Sequence, residues 1–411
     1  CYVAHHSSPR MDHMTDVSLR NTTKSRLTGL DTLRASAILL VLMYHYEVVV
    51  SGKPTFGFLT DIGWVGVDLF FVLSGYLIGN QIMSAIARGE DFSLKVFFAR
   101  RLLRTLPNYY FILAIYFIFP SLLSGTGTAS IWRFLSFTQN IGLHYGETFS
   151  HSWSLCIEEQ FYLILPVAAL LIASFAKSKR VGWSVLLAGV MAGMLVRSWA
   201  WITFGHNAIN PLIFSEHIYY SSFARFDELL PGVAIAMLKN FHADLYARIL
   251  RKGNLLLVAG SIAFAIVAYL FLNYYQIEGY GYTFGMTVFG YTLLPGSFAL
   301  LTLSALSPNS WLNRVRIPGA EKLALWSYAI YLAHKPIYKL AILPLTQLKI
   351  DINAPIGIAI IMLAGIGGGW LLYRLVESPF MALRDRFFPS SHMQVQASLP
   401  IKDEERISQA I

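Results

Sequence analysis

Ten predominantly apolar stretches, joined by short connections, follow one another along this chain of 411 residues. Most are long enough to cross the hydrocarbon core of a bilayer as helices, which takes about 20 residues. Only 13% of the residues are charged, about half of what a soluble domain carries. The sequence therefore predicts an all-α integral membrane protein, a bundle of about ten transmembrane helices. The stretches are residues 30–50, 64–86, 109–123, 155–175, 181–204, 218–238, 255–272, 284–306, 323–343 and 355–376.

The placement of lysine and arginine predicts the orientation of this bundle. The basic-rich connections all fall on one side of the predicted topology, which the positive-inside rule assigns to the cytoplasm. Both termini are then cytoplasmic. The net charge of +9 follows from this topology, and no nucleic-acid partner is expected. The basic-rich segments are residues 20–26, 88–104, 177–180, 239–252, 314–316 and 384–386.

The domain organisation is expected to be simple. Residues 1–27 are polar and predicted to be disordered, residues 28–380 form the membrane domain, and residues 381–411 form a cytoplasmic tail. The cysteines Cys1 and Cys156 are too few for a disulfide framework. Because there is no metal-binding cysteine pattern either, no metal site is predicted.

Two ionisable residues lie within the first stretch, where an ionisable side chain is costly unless it faces the bundle interior or water. Arg34 and His45 are eleven residues apart, roughly 16 Å along a helix, and can project from one face. Arg34 is expected near the cytoplasmic face and His45 in the outer half. The alternatives are a charge that sets topology for Arg34 and a structural core histidine for His45.

The fourth stretch begins with a polar segment that contains His151, Glu158 and Glu159. The adjacent glutamates point about 100° apart on a helix, so at most one of them faces a given pocket squarely. A carboxylate that orients and charges a histidine is a common general-base arrangement. We therefore predict that Glu158 acts on His45 at the same depth. The alternative is a charge pair that caps the start of the helix.

Further polar residues converge on the same outer half of the predicted bundle. They are Asp68 on the second stretch, Arg225 and Asp227 on the sixth, and His334 on the ninth. Any one of them could be structural, but their common depth favours a site.

On the cytoplasmic side, Arg100, Arg101 and Arg104 cluster before Pro107. Arginine forks suit phosphate groups, although an anchor for anionic lipid is an equal alternative. Glu377, which is followed by Ser378 and Pro379 at the end of the last stretch, could pair with one of these arginines.

Together these segments resemble the membrane-bound acyltransferase 3 family of bacterial multi-span O-acyltransferases. The resemblance covers residues 30–379, with two small departures: Thr32 replaces the usual glycine, and Glu228 follows Asp227. Neither departure was assigned to the chemistry. The matching pieces are Leu30-Asp31-Thr32-Leu33-Arg34 with His45, Gly66-Val67-Asp68 through Ser74-Gly75-Tyr76-Leu77, Arg100-Arg101-Leu102-Leu103-Arg104, His151-Ser152-Trp153-Ser154-Leu155 with Glu158-Glu159-Gln160-Phe161-Tyr162, Arg225-Phe226-Asp227 before Pro231-Gly232, Ser327-Tyr328 with His334, and Glu377-Ser378-Pro379.

The resemblance implies a bacterial inner-membrane enzyme that takes an acyl group, usually acetyl, from cytoplasmic acyl-CoA. No bound cofactor is implied. The acceptor is a hydroxyl of an extracytoplasmic glycan, such as a cell-surface polysaccharide, lipopolysaccharide or exopolysaccharide, or of a small molecule. Some members carry an extra extracytoplasmic hydrolase-like domain; without one, transfer is expected to finish within the bundle or on a separate protein.

With the residue patterns, the resemblance assigns roles to individual side chains. His45 and Glu158 are the predicted catalytic residues, Arg34 with Arg100, Arg101 and Arg104 binds acyl-CoA, and Glu377 with Pro379 is structural. The predicted supporting polar site comprises Asp68, His151, Glu159, Arg225, Asp227 and His334.

A polytopic transporter or scaffold is the rival interpretation, because polar residues buried along a helical bundle also describe a proton-coupled carrier. Two symmetric halves with paired broken helices would favour the rival. The sequence shows no such symmetry.

Overall fold

A computed structural model describes residues 28–176, 178–205 and 211–389. The predicted N-terminal segment 1–27 and most of the predicted tail lie outside the described residues. The described chain is almost entirely helical. Its α-helices are α1 (Thr28–Tyr46), α2 (Phe58–Asp61), α3 (Val65–Arg88), α4 (Leu94–Ile118), α5 (Pro120–Leu123), α6 (Ile131–Leu135), α7 (Trp153–Leu171), α8 (Lys179–Ala200), α9 (Pro211–Phe214), α10 (Ser222–Arg225), α11 (Leu230–Phe241), α12 (Ala243–Leu250), α13 (Gly253–Tyr274), α14 (Tyr291–Leu306), α15 (Trp311–Arg314), α16 (Ala320–Gln347), α17 (Pro355–Leu372) and α18 (Ser378–Phe387).

Several of these helices are extended or joined by short turns of other helix types. A two-residue antiparallel hairpin, β1 (Gln276–Ile277) and β2 (Gly281–Tyr282), connects α13 to the following helix. The additional helical turns are Glu47–Ser51, Ser150–Ser152, Ile172–Ala176, Trp201–Gly205, Ser215–Tyr219, Phe226–Leu229, Met286–Gly290 and Tyr373–Glu377.

Seven helical stretches of the described chain are long and apolar enough to cross a membrane. This confirms an all-α membrane protein, whereas ten spans and cytoplasmic termini stay predictions. Of the other three expected spans, α4 and α16 are long but carry several charges, and α11 has 12 residues. The seven are Thr28–Ser51, Val65–Arg88, Ser150–Ala176, Lys179–Phe204, Gly253–Tyr274, Met286–Leu306 and Pro355–Phe387.

Two predicted boundaries were wrong, for reasons that concern polar residues. The third stretch was expected to begin at residue 109, but α4 begins at Leu94, where the Ser93 hydroxyl accepts from the Val96 amide. The three arginines that were read as a connection therefore lie on the helix. The sixth stretch is not one helix, because residues 220–221 are non-helical and residues 226–229 form a turn of 3-10 helix, where its charged residues find partners.

Helix α1 lies at the centre of the bundle, against α3 and α16. Its residues Ala37, Ile38, Val41 and Leu42 are fully buried. The α1–α3 approach is close because Gly66 has no side chain: a Cβ there would lie 2.4 Å from the Ala37 carbonyl oxygen. Since α1 carries His45 and α16 carries His334, this packing places the two histidines side by side.

The α3–α11 contact depends on two glycines in the same way. A Cβ on Gly75 would lie 2.0 Å from the Leu229 carbonyl oxygen, and one on Gly232 would lie 2.1 Å from the Val72 carbonyl oxygen. The backbones of α3 and α11 therefore touch directly, as is usual for small residues between membrane helices.

Candidate functional site

Three histidines from different parts of the chain meet near one end of the bundle. The ring centroids of His45 and His334 are 4.8 Å apart, those of His151 and His334 are 5.3 Å apart, and those of His45 and His151 are 6.3 Å apart. His45 comes from α1, His334 from α16, and His151 from the turn that precedes α7. We call this group the histidine cluster.

Backbone carbonyls hold one nitrogen of each ring in the cluster. His45 Nδ1 lies 3.0 Å from the Val41 oxygen, and His334 Nδ1 lies 3.1 Å from the Ile330 oxygen. A carbonyl only accepts, so the hydrogen bond assigns the proton of the neutral ring to Nδ1 and leaves Nε2 with a free lone pair. His45 is thus in the tautomer that can take a proton through Nε2.

A cavity of about 250 Å³, the histidine cavity, opens beside His45 and His151. Its wall contains Lys335, whose Nζ lies 3.5 Å from the Ser150 hydroxyl, and Lys339, whose Nζ donates to the Leu123 carbonyl. Other lining residues are Val41, Tyr44, Trp64, Val67, Tyr116, Tyr145, Glu147, Trp153, Tyr219, Tyr220 and Tyr331. Aromatic rings with a few polar groups can hold a small polar substrate in a fixed orientation.

A second cavity of about 400 Å³, the arginine cavity, contains Arg34, Arg100, Arg101, Arg104 and Arg384. Its other lining residues include Ser74, Thr105, Ser154, Glu158, Tyr162, Ser327, Tyr328 and Tyr331. The four arginines that were predicted to bind acyl-CoA thus share one cavity.

The four predicted arginines differ in how far protein partners occupy them. Arg100 donates to Asp385 on α18 at 3.1 Å and to the Phe388 carbonyl. Arg101 stacks over the Tyr162 ring at 3.9 Å and faces two glutamates. Arg34 donates to Ser327 at 3.3 Å, and Arg104 has no hydrogen bond or close ion pair to the described residues. Arg104 and Arg34 are therefore the most available to a ligand.

The predicted pairing of Glu158 with His45 is wrong. The Glu158 carboxylate accepts from the Tyr162 hydroxyl at 2.5 Å and from Ser74 at 3.2 Å, and it lies 3.7 Å from Arg101. Glu158 lies seven residues after His151, which is roughly 10 Å along the helix axis. At that distance from the histidine cluster it lines the arginine cavity. The neighbouring Glu159 accepts from Thr105 at 3.0 Å and lies 3.4 Å from Arg101. Both glutamates neutralise Arg101.

Asp68 and Arg225 meet in an ion network that adjoins the wall of the histidine cavity, because the Arg225 guanidinium lies 5.2 Å from the ring centroid of Trp153 and 5.0 Å from that of Tyr219. Arg225 donates to Asp68 at 2.9 Å and to Glu228, and its guanidinium lies 4.2 Å from the centroid of the Tyr291 ring. All three charged residues are buried. Glu228, a departure to which the sequence assigned no role, is therefore a partner of a predicted site residue.

Asp227 belongs to a different pair, with a residue that the sequence analysis missed. Arg197 of α8 makes two hydrogen bonds to the Asp227 carboxylate, at 2.6 and 2.8 Å, and both side chains are buried. Gly193 makes room for this pair, because a Cβ there would lie 2.3 Å from the carboxylate carbon. An arginine inside an apolar stretch was the available signal.

The last predicted motif lies at the start of α18. Glu377 accepts from Asn108 of α4 at 2.7 Å and is buried, and Pro379 occupies the first turn of α18, where proline is well tolerated. The expected ion pair of Glu377 with an arginine is thus replaced by an amide contact. Asn108 and Arg100 therefore connect α4 to Glu377 and to Asp385 of α18.

The mouth of the histidine cavity carries a small latch of ionisable residues. His144 lies 3.0 Å from Glu147 and 3.1 Å from Glu216, through its two ring nitrogens, and Glu216 also lies 3.8 Å from His217. Hydrogen bonding to Glu147, with the further attraction of Glu216, raises the pKa of His144 above its ordinary value. The latch connects residues 144–147 to the turn Ser215–Tyr219.

The raised pKa of His144 predicts that the stability of the latch depends on pH. Because the folded-state pKa of His144 is raised, the latch contributes fully below the ordinary pKa and is lost as the pH rises through the folded-state pKa. We expect hydrogen exchange at residues 144–150 to be faster at about pH 9 than at about pH 5.5, after correction for the intrinsic rate. In His144→Gln this difference should vanish, and an unchanged difference would contradict the latch.

A comparison with known proteins adds to this geometry. The profile of a family described as "Acyltransferase domain", the acyltransferase 3 family, matches residues 27–374. A peptidoglycan O-acetyltransferase, OatA, of Listeria monocytogenes is 31% identical over 353 residues, which are 80% of this chain and 52% of the relative. An O-acetyltransferase OatA of Staphylococcus aureus is 27% identical over 334 residues, 76% of this chain and 50% of the relative.

The chain spans about half the length of these two relatives. No solved structure matches it. Since the family profile covers most of the described bundle, the chain belongs to the acyltransferase 3 family.

Proposed function

We propose that this chain transfers an acetyl group from acetyl-CoA in the arginine cavity to a hydroxyl group in the histidine cavity. The observation that carries the proposal is the pair of cavities, one rich in phosphate-binding side chains and one beside a histidine in a base-competent tautomer. A donor and an acceptor on opposite sides of a membrane need such an arrangement.

The arginine cavity suits the donor. Guanidinium groups bind phosphate through paired hydrogen bonds, and Arg104 and Arg34 are not occupied by carboxylates. Arg101, Glu158 and Tyr162 form a fixed wall of this cavity. We infer that they position the donor and that Glu158 is not the partner of the base.

His45 is the proposed general base. Its Nε2 takes the proton of the acceptor hydroxyl, the oxygen attacks the thioester carbonyl, and the carbon–sulfur bond breaks. The proton returns from the imidazolium to the departing CoA sulfur, so the ring ends as it began. A positioned base is needed because an alcohol is a poor nucleophile at neutral pH.

The arginine-rich side is the proposed cytoplasmic face of a bacterial inner membrane, with both termini on that side. The acceptor would then be an extracytoplasmic glycan. The names of the two OatA relatives support a cell-wall glycan, and a small-molecule hydroxyl is the alternative acceptor.

Reconstituted protein tests this function directly. Proteoliposomes with a peptidoglycan fragment inside receive acetyl-CoA outside, and acetylated fragment inside and free CoA outside are measured over time. We expect acetylated fragment inside the vesicles and free CoA outside them, produced by the protein molecules whose arginine cavity faces outward. CoA release without any acetylated acceptor, across a panel of glycan fragments and small alcohols, would contradict the proposal.

Arg104→Ala should raise the KM for acetyl-CoA by about tenfold or more, because a charged hydrogen bond to phosphate is lost. The KM for the acceptor should change little, and kcat should fall less, because the phosphates bind far from the reacting carbonyl. Arg104→Lys should restore part of the affinity. Steady-state kinetics on quantified protein measure these effects.

Arg88→Ala is the matched control for this prediction. Arg88 is exposed near the same end of the bundle, pairs with Glu90, and does not line the arginine cavity. Its substitution should leave the KM for acetyl-CoA unchanged. If Arg104→Ala also leaves it unchanged in a normally folded protein, Arg104 does not hold the donor.

A further inference from the structure

The histidine and arginine cavities adjoin each other at one tyrosine and one valine. Among the described residues, the two that line both cavities are Tyr331 of α16 and Val67 of α3. Tyr331 is almost completely buried. The proposed donor site and the proposed acceptor site therefore adjoin at these two residues.

Tyr331 is held in place from both sides. Its hydroxyl lies 2.7 Å from the Ser154 hydroxyl, which lines the arginine cavity, and it donates to the backbone carbonyl of His151, which lines the histidine cavity. Because the single Tyr331 proton is used on His151, the Ser154 hydroxyl must be the donor to Tyr331. The ring itself packs against two members of the histidine cluster, with centroid distances of 5.9 Å to His151 and 6.0 Å to His334.

We propose that Tyr331 is a gate residue: its ring closes the passage between the cavities, and the thioester of acetyl-CoA meets the acceptor hydroxyl only when the ring swings aside. This inference rests on the proposed function for its purpose, but the barrier itself is a property of the bundle. Val67 is the other residue that lines both cavities. Its short side chain leaves the closure to the tyrosine ring.

The chemical role of the gate is to keep water from the thioester. In the proposed reaction the acceptor oxygen forms the new bond to the acetyl carbon while the carbon–sulfur bond breaks. If water reaches the same carbon, its oxygen forms that bond instead and the products are acetate and free CoA. A closed gate therefore couples thioester cleavage to acetylation of the acceptor, as closing an active site often does.

The ring and the hydroxyl make separable contributions. Tyr331→Ala removes the barrier, so CoA release should become partly independent of acceptor, with more acetate for each acetylated product. Tyr331→Phe keeps the ring but loses both hydrogen bonds, so the gate should open more readily and the same ratio should rise to a smaller extent. A purely structural tyrosine would change the amount of folded protein and not this ratio.

A labelling experiment tests the barrier without any catalytic turnover. Ser74 lines the arginine cavity, and Ser74→Cys, in a Cys1→Ser and Cys156→Ala background, provides a single thiol there. A membrane-impermeant, negatively charged thiol reagent is added from the histidine-cavity side or from the arginine-cavity side of the membrane. Labelling from the histidine-cavity side should be slow, and Tyr331→Ala should speed it at least several-fold.

Tyr328→Ala is the matched control, because Tyr328 lies one turn away on the same helix and lines the arginine cavity alone. It should not speed labelling from the histidine-cavity side. Val67→Ala removes fewer atoms from the same passage and should also speed labelling from the histidine-cavity side. It replaces Tyr331→Ala in the test if that variant does not fold. Labelling from the arginine-cavity side reports that each variant keeps that cavity.

The two experiments separate the gate from the proposed function. If the wild-type protein transfers no acetyl group, the labelling rates still show whether Tyr331 closes the passage. If neither Tyr331→Ala nor Val67→Ala speeds labelling from the histidine-cavity side, while both are labelled normally from the other side, the gate is refuted even in an active enzyme.

Discussion

His45→Ala should lower acetyl transfer roughly 10²–10⁴-fold, the range lost when a general base is removed. The nitrogen that can accept the proton disappears, and neither of the other two histidines of the cluster presents such a nitrogen to the cavity. His334 does not line the histidine cavity. In His151 the Leu332 carbonyl assigns the proton to Nε2, and the nitrogen that keeps the lone pair, Nδ1, is buried away from the cavity space. Initial rates of acetylated acceptor, for equal amounts of folded protein, measure the loss.

Two further substitutions make this result specific. His45→Gln keeps a polar side chain of similar reach but has no titratable nitrogen, so its loss should match that of alanine. His217→Ala removes a histidine that lies outside the cavity, and its rate should stay near that of the wild type. A wild-type rate in folded His45→Ala would place the chemistry elsewhere.

The sequence was informative where a pattern depends on hydropathy and helical rise. The apolar stretches predicted most of the long helices. The spacing of Arg34 and His45 predicted that they lie at different depths of the bundle, and they line the arginine cavity and the histidine cavity respectively. His45, His151 and His334 come from three distant segments, and the sequence assigned all three to one polar site in the outer half of the bundle. The structure brings their rings within 6.3 Å of one another.

The sequence was misleading where side-chain direction decides the contact. Glu158 was assigned to His45 from depth alone, but it faces Arg101, Ser74 and Tyr162, which no local pattern connects to it. Polar residues that line a cavity also lower the mean hydropathy of the helix that carries them. For this reason the first half of α4 was predicted to be a connection. Tyr331 gave no signal at all, because its position between two cavities depends on how α3, α7 and α16 pack.

Asp227→Ala should destabilise the bundle by about 3–5 kcal/mol, because it leaves the Arg197 guanidinium buried and without its carboxylate. Arg197 has hydrogen bonds to the Val288 and Ala224 carbonyls and to Thr292, but these neutral acceptors do not balance its charge. The midpoint of thermal unfolding in detergent, measured at matched lipid content, should fall clearly. Acetyl transfer by the remaining folded protein should change much less, since neither residue lines the histidine cavity or the arginine cavity.

The double variant Arg197→Met/Asp227→Leu distinguishes a charge effect from a packing effect. When both charges are replaced by apolar groups of similar volume, the buried charge is gone and stability should return close to that of the wild type, as for other buried ion pairs. Arg197→Met alone leaves a buried carboxylate and should be as damaging as Asp227→Ala. If the double variant is as unstable as both single variants combined, the pair acts through its hydrogen bonds to α10 and α14, and the charge balance is not what stabilises this part of the bundle.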